Sequence, residues 1–410
     1  MNQRNVLITL FFLTIYQQPV YAQLTDKLDI RGNIQAQAFL NNSSTNWYRG
    51  GFAKLRYDED AFPVQLGNAA LHTDFRISDT FWLRSLVTAY SYPDFDPNLV
   101  EAYFQYRPLP RGKFRFRTKT GAFHLPLSLE NRGIGWNSVY STTPSVINAW
   151  VGEELRVIGG EIDIQFPGRQ RGSAHSFGVT GGIFGFNDGA GTIIAYRGWA
   201  PHDRQTGLGD YLKLIPEFPG QDRKFEPFRE IDDRPGYYIA GSWSYLDQVD
   251  FKFMHYDNRA DPSAFRNRQI AWHTVFEHAS LQINFTGSIR LLSQYMTGDT
   301  QINNLNSGFR SNVDFESWYI LISKVINKHR LSARYEYFNT DDLDAFLTSI
   351  HNSNETGWAW MLAYHYQLRA NLKLGLEWLQ IKTNRETRLN IEGIPSETEN
   401  QLLLNINFNF

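Results

Sequence analysis

Polar and apolar residues alternate along most of this chain. The last ten, QLLLNINFNF from Gln401 to Phe410, show it most plainly. Leu402, Leu404, Ile406, Phe408 and Phe410 share one face of an extended chain. Gln401, Asn405, Asn407 and Asn409 share the other, and only Leu403 breaks the pattern. A period of two marks a β-strand with one apolar and one polar side. The same pattern recurs upstream. Leu28, Ile30, Ile34, Ala36 and Ala38 oppose Asp29, Arg31, Asn33, Gln35 and Gln37. Val100, Ala102, Phe104 and Tyr106 oppose Glu101, Gln105 and Arg107. Leu281, Ile283, Phe285, Ile289 and Leu291 read as one strand, as do Leu331, Ala333, Tyr335 and Tyr337. Segments of about ten residues are what a tilted strand needs to cross a bilayer.

The connections give an independent test. They alternate long and short: long over 41–68, 91–98, 124–153, 188–235, 258–267, 295–313, 339–355 and 383–398. The short ones fall near Ser78-Asp79, at Pro108 to Gly112, over 167–174, at Leu246-Asp247, and over 277–280, 326–328 and 368–370. Short turns on one side and long loops on the other are the mark of a closed transmembrane barrel. The count predicts an all-β, antiparallel barrel of 16 strands with both ends on the short-turn side. Two further extended pieces, Phe52 to Asp58 and Thr192 to Trp199, are placed inside long loops; counted as wall strands they would make 18.

Composition fits this reading. Aromatic residues make up 15% of the 410, as the aromatic girdles of membrane barrels require. Mean hydropathy is negative, at −0.41, which leaves no room for many membrane-spanning helices. The absence of Cys removes disulfides and thiolate metal sites. A formal charge of −2 gives no electrostatic case for nucleic acid. The N-terminus reads as a secretory signal over residues 1–22. Arg4 leads an apolar run from Val6 to Tyr16, and Val20-Tyr21-Ala22 is a cleavage-like site. Residues 23–410 then form one barrel domain.

A terminal aromatic strand after such alternation resembles the Gram-negative outer-membrane porins. The resemblance implies residence in the outer membrane, contact with its lipid and lipopolysaccharide, and assembly as a homotrimer. It implies passive diffusion of small hydrophilic solutes, with no cofactor. It also implies a third external loop folded into the lumen. Here that loop is His124 to Gly152, which carries Leu125, Leu127, Leu129, Ile134, Trp136, Ile147 and Trp150. Glu130 and Arg132 would then stand at the constriction. The segment GAFHLPLSLEN, Gly121 to Asn131, is loosely similar to the phosphate-selective porin O/P group.

The charged chemistry concentrates in KFRFRTKTGAF. Lys113, Arg115, Arg117 and Lys119 fall on one face of that strand. Each cation turned to lipid at mid-bilayer would cost roughly 2–4 kcal/mol, so the row must face the lumen. It forms a ladder with steps of about 6.6 Å. The ladder is either an anion-attracting strip or is neutralised by Glu101, Glu161 and Asp163. Arg107, Arg330 and Arg334 are further lumen cations by pattern. The charged stretch 200–234 reads as a solvated external surface. The histidines His124, His255, His273, His278 and His365 lack metal-ligand spacing, and no G-x-S-x-G or H-E-x-x-H occurs. No metal site is expected. An anion-biased diffusion channel is the leading reading. A lipid-modifying outer-membrane enzyme, or a specific channel or exporter for sugars or acidic polymers, are the alternatives.

Overall fold

A computed structural model describes residues 26–93, 95–110, 112–214, 223–304, 309–344 and 351–410. The expected signal segment lies outside them. Sixteen strands form one closed antiparallel barrel. They are β1 (Leu28–Asn41), β2 (Val64–Arg76), β3 (Phe81–Tyr90), β4 (Asp96–Tyr106), β5 (Arg115–His124), β6 (Arg156–Phe166), β7 (His175–Gly185) and β8 (Gly236–Tyr245). The second half is β9 (Val249–Asp257), β10 (His273–Phe285), β11 (Ile289–Asn304), β12 (Phe309–Ile326), β13 (His329–Asp342), β14 (Glu355–Arg369), β15 (Leu372–Arg385) and β16 (Ser396–Asn409). Each strand pairs with its sequence neighbour, and β1 pairs with β16 to close the ring.

The seam is sealed at the last residue. Gly32 and Phe410 exchange two backbone hydrogen bonds, 2.9 and 3.0 Å. A Cβ on Gly32 would lie 2.1 Å from the Phe410 ring, so the missing side chain is what admits the terminal aromatic. Sidedness follows the sequence. Leu402, Leu404, Ile406 and Phe408 are exposed on the outer surface, while Asn405 and Asn407 are buried on the lumen face. That apolar outer face is what acyl chains solvate at no cost. Leu403 points inward, where it packs with Phe39, Tyr57 and Tyr92.

Three sequence expectations about the wall need correcting. The turn expected over 277–280 lies inside β10; the chain reverses at 286–288, where Gly287 and Ser288 both take positive φ (72° and 58°). Two left-handed residues make a tight hairpin whose twist suits its strands. The alternation runs through it unbroken, so two strands looked like one. The long loop expected over 295–313 is mostly strand, because β11 and β12 run on to Asn304 and from Phe309. Val100 faces inward, fully buried. The pairing of β3 with β4 slips between Leu86–Glu101 and Val87–Leu99, and the extra residue of that bulge turns Val100 to the lumen.

The loop connecting β5 to β6 folds inward as expected. It carries helix α1 (Val146–Glu153). The loops after β1 and β7 fold inward too. Phe52, Ala53, Leu55 and Tyr57 are buried, and Thr192–Tyr196 is a buried short helix, α2, rather than an extended piece. Neither piece joins the wall.

Candidate functional site

The lumen has two unlike halves. Toward the long loops it is packed and apolar. Met254, Phe276, Leu292, Met296, Phe315, Leu321, Met361 and Leu379 face inward from β9 to β15 and close on Trp150 of α1. Trp150 meets Phe315, Trp199 and Phe276 edge-on, with ring centroids 5.3, 5.7 and 5.8 Å away. Edge-to-face contact is the favoured aromatic geometry.

Polar groups fix this loop in register. Ser145 caps α1 through the Asn148 N–H. The Glu336 carboxylate accepts from the Val146 N–H at 2.8 Å, at the positive end of the helix. Glu377 accepts from the Thr142 and Thr143 N–H groups at 2.6 and 3.1 Å. Arg334 donates to Glu130 at 3.0 Å, to Glu336 at 3.1 Å, and to the Thr143 and Pro144 carbonyls at 3.0 Å each. Both terminal nitrogens of the enclosed Arg334 are therefore occupied. It does not line open lumen as expected; it clamps the third loop to β13. Glu130 is the other half of that clamp, fully buried, whereas Arg132 is exposed.

The fourth loop locks onto the third. Arg197 grips Glu153 with two bonds of 2.8 Å, and His202 reaches the same carboxylate at 3.1 Å. Burial alone would raise the Glu153 pKa, but Arg197 and His202 hold it at about 2. Glu154 accepts from Trp150 Nε1 and from the Gly191 and Ile193 N–H groups. Burial pushes its pKa up to about 8 all the same. From the first loop, Lys54 pairs with Glu355, and Arg56 reaches Asp203 at 2.7 Å. Asp203 and Arg204 are thus inside the barrel, which corrects the reading of solvated surface for that part of 200–234. Their charges face partners across the lumen instead of water, whereas Lys213, Arg223, Lys224 and Asp233 of the same stretch are exposed as expected, and residues 215–222 lie outside the described residues. Farther along the same loop, oxygens of Asp188, Glu230 and Asp232 converge within 4.8 Å. Backbone N–H groups of Phe186, Ile231, Asp232, Asp233 and Asp261 hold them.

The half toward the short turns is a charged vestibule. A cavity of about 830 Å³ there is lined by Arg84, Arg107, Arg115, Arg117, Asp163 and Trp82. The ladder divides in two. Arg117 pairs with Asp163 at 3.1 Å and Lys119 with Glu161 at 3.2 Å; these carboxylates lie directly opposite on β6. Glu101 instead engages His124. Arg115 and Arg107 are exposed and make no ion pair among the described residues. Lys113 makes none either, but it lies in the turn before β5 and outside the cavity lining, so it is not the rung of the ladder that the sequence pattern predicts.

A second set of cations was not visible as a group in the sequence. Arg290, Arg330 and Lys373 face the lumen from β11, β13 and β15, beneath the docked third loop, with His365 of β14 among them. Arg330 was singled out by pattern. Only strand register brings the other three to it.

No protein-family model matches this chain, and no curated protein matches it. Solved structures do. The outer membrane channel DcaP of Acinetobacter baumannii aligns with a TM-score of 0.56 at 9% identity, covering 93% of this chain and 97% of that one. An anion-selective porin from Comamonas acidovorans aligns at 0.53 and 10%, covering 93% and 99%. Salmonella typhi OmpF, in complex with daunomycin, aligns at 0.51 and 9%, covering 93% and 97%.

The fold is that of the Gram-negative outer-membrane porins. Within this porin fold, infolding of the third loop was legible beforehand. The joint filling by the first and fourth loops was not, because their buried charges look like surface charges until their partners are placed.

Proposed function

We propose that this chain is an outer-membrane channel for passive diffusion of small hydrophilic solutes, with a preference for anions. One observation carries the reading. A sealed barrel with an apolar outer face encloses a vestibule lined by four arginines, Arg84, Arg107, Arg115 and Arg117, against two carboxylates, Asp79 and Asp163. Such a rim raises the local concentration of anions and repels cations. The channel name of DcaP and the anion-selective name of the Comamonas porin agree with it. Contact with lipopolysaccharide and a homotrimeric state belong to the same proposal; Vibrio cholerae OmpT, similar at a TM-score of 0.50 and 11% identity, carries a trimer form in its name. The histidines do not argue for an enzyme. His175 accepts from Trp243 Nε1, and Ser176 beside it accepts from the Gly168 N–H, so neither activates the other.

Planar-bilayer recording tests this. Ionic current with a reversal potential of anionic sign in a KCl gradient is expected. Because three loops fill the outer half, unitary conductance is expected to be small for a barrel of this size. Replacing Lys113, Arg115, Arg117 and Lys119 with Ala leaves Glu161 and Asp163 uncompensated, so the bias should turn cationic. No current at all, or an unchanged bias, overturns the proposal.

A further inference from the structure

The two basic walls of the vestibule differ in what their charges lack. On β5 and β6 each inner cation has a carboxylate opposite. On β10 to β16, the lumen face between Glu377 and the short turns carries no carboxylate among the described residues. Glu377 itself is occupied by the Thr142 and Thr143 N–H groups. Yet three cations stand there. Arg290 donates to the Tyr140 hydroxyl at 2.8 Å and to Asn284 at 2.7 Å. Arg330 lies over the ring of the same Tyr140, 5.2 Å from its centroid, and donates to Ser323 at 3.1 Å. The two guanidiniums thus meet at one phenol, held by neutral partners. Lys373 makes no ion pair among the described residues.

His365 completes the set. It lies directly opposite Arg330 on one side and Gly375 on the other. A Cβ on Gly375 would come 2.7 Å from its ring, so the imidazole lies across the bare backbone of β15, two positions from Lys373. It is 2% exposed, and neither ring nitrogen has a hydrogen-bond partner. In either tautomer one N–H is buried with nothing to donate to, which costs free energy. Like charges gathered without a counter-ion and an orphaned donor are both relieved by the same thing.

We propose that Arg290, Arg330, His365 and Lys373 form a binding subsite for a small divalent oxyanion, beneath the third loop and separate from the β5 ladder. Guanidinium forks match tetrahedral and carboxylate oxyanions alike, and the imidazole N–H supplies a further donor. The subsite deepens the anion-channel reading and rests on it only for its role in transport; binding itself is an equilibrium property of the folded barrel.

The test measures sulfate binding to the detergent-folded full chain by isothermal titration, against chloride at matched ionic strength. A parallel succinate arm tells a tetrahedral occupant from a dicarboxylate. Saturable binding of either ion is expected, weakened about tenfold or more in Arg330→Gln and in Lys373→Met. Lys213→Gln, exposed in the fourth loop and outside both sets of lumen cations, should bind as the parent does. Heat-modifiable migration on gels confirms that each variant is folded, and His365→Phe gives a neutral replacement of similar bulk should Arg330→Gln not fold. Failure of both ions to bind, or equal weakening by Lys213→Gln, overturns the subsite. Site-dependent binding without bilayer current would keep the subsite and remove the channel. Anion-biased current without binding would do the reverse.

Discussion

The outer and inner halves of this lumen are made from the same kinds of charged residue and use them in opposite ways. In the outer half, Arg334, Arg197, Arg56 and Lys54 are buried against carboxylates and carbonyls. In the inner half, Arg115 and Arg107 face the vestibule with no ion pair among the described residues. Buried pairs add little net stability over an apolar alternative, but breaking one strands its partner. Exposed cations add almost no stability and keep their field. Charge in the outer half therefore sets which loop conformation is allowed. On the proposed channel reading, charge in the inner half sets which solute is attracted.

The strongest way to break this contrast is to remove the anchor of the outer half. Trp150→Ala deletes the side chain on which Trp199, Phe276 and Phe315 converge. The expected loss is about 5 kcal/mol, the upper end for a buried aromatic. The barrel wall should survive, because its ladder does not depend on the loop. Thermal melts should show a separate early transition, and unitary conductance should rise. An unchanged conductance would mean the third loop does not limit the path.

Arg334→Met tests the polar half of the same lock. It leaves Glu130 and Glu336 buried without a cation, at about 3 to 5 kcal/mol. Adding Glu130→Gln should recover part of that, because one stranded charge is then gone. A double-mutant cycle on melting temperature reads the coupling. Additive losses would show that Arg334 and Glu130 do not act as one clamp.

A smaller effect comes from pH. Glu154 has its pKa raised from 4.5 to about 8 in the folded chain. The native state then holds a proton that the unfolded state gives up. This contribution is fully present below pH 4.5 and is lost as pH rises through about 8. Lys54 is pushed down to about 7 by burial. Its effect has the opposite slope and acts from pH 7 upward, so the window from pH 5 to 7 excludes the lysine and leaves Glu154 with Asp188 and Asp210, which burial raises to about 7 and about 6. Hydrogen exchange in the third and fourth loops, corrected for intrinsic rate, should accelerate across that window. Glu154→Gln should make that rise shallower by the share that Glu154 contributes. A flat parent profile would mean the carboxyl is already ionised.

How much of this could be read beforehand follows from the same contrast. Sidedness was legible because a two-residue period directly reports a wall with lipid on one side. Infolding of the third loop was legible because Leu127, Ile147 and Trp150 have no business in a solvated loop. The first and fourth loops hid because Lys54, Arg56, Asp203 and Arg204 carry the same letters whether they meet water or each other. The hairpin at Gly287 hid because its turn preserves the alternation. Arg290, His365 and Lys373 hid because the pairing of β11 to β15, and no local pattern, gathers them.

The mildest substitution sharpens the comparison most. Arg115→Gln removes an exposed cation with no partner, so melting temperature should move by the equivalent of about 0.5 kcal/mol or less. Arg117→Gln strips Asp163 of its salt bridge, but Gln165 and Thr180 still donate to that carboxylate at 2.7 and 2.9 Å. It too should fold normally. Each removes one positive charge, yet they differ in what they uncover. Arg115→Gln lowers the anion preference by one cation. Arg117→Gln removes a cation and frees a carboxylate's field. Reversal potentials in a KCl gradient should therefore shift toward the cation side in both, and further in Arg117→Gln. If the order is reversed, paired charges are invisible to a passing ion and only the free rim is read. If neither shifts, selectivity is set elsewhere, and the vestibule is only an antechamber to the loops above it.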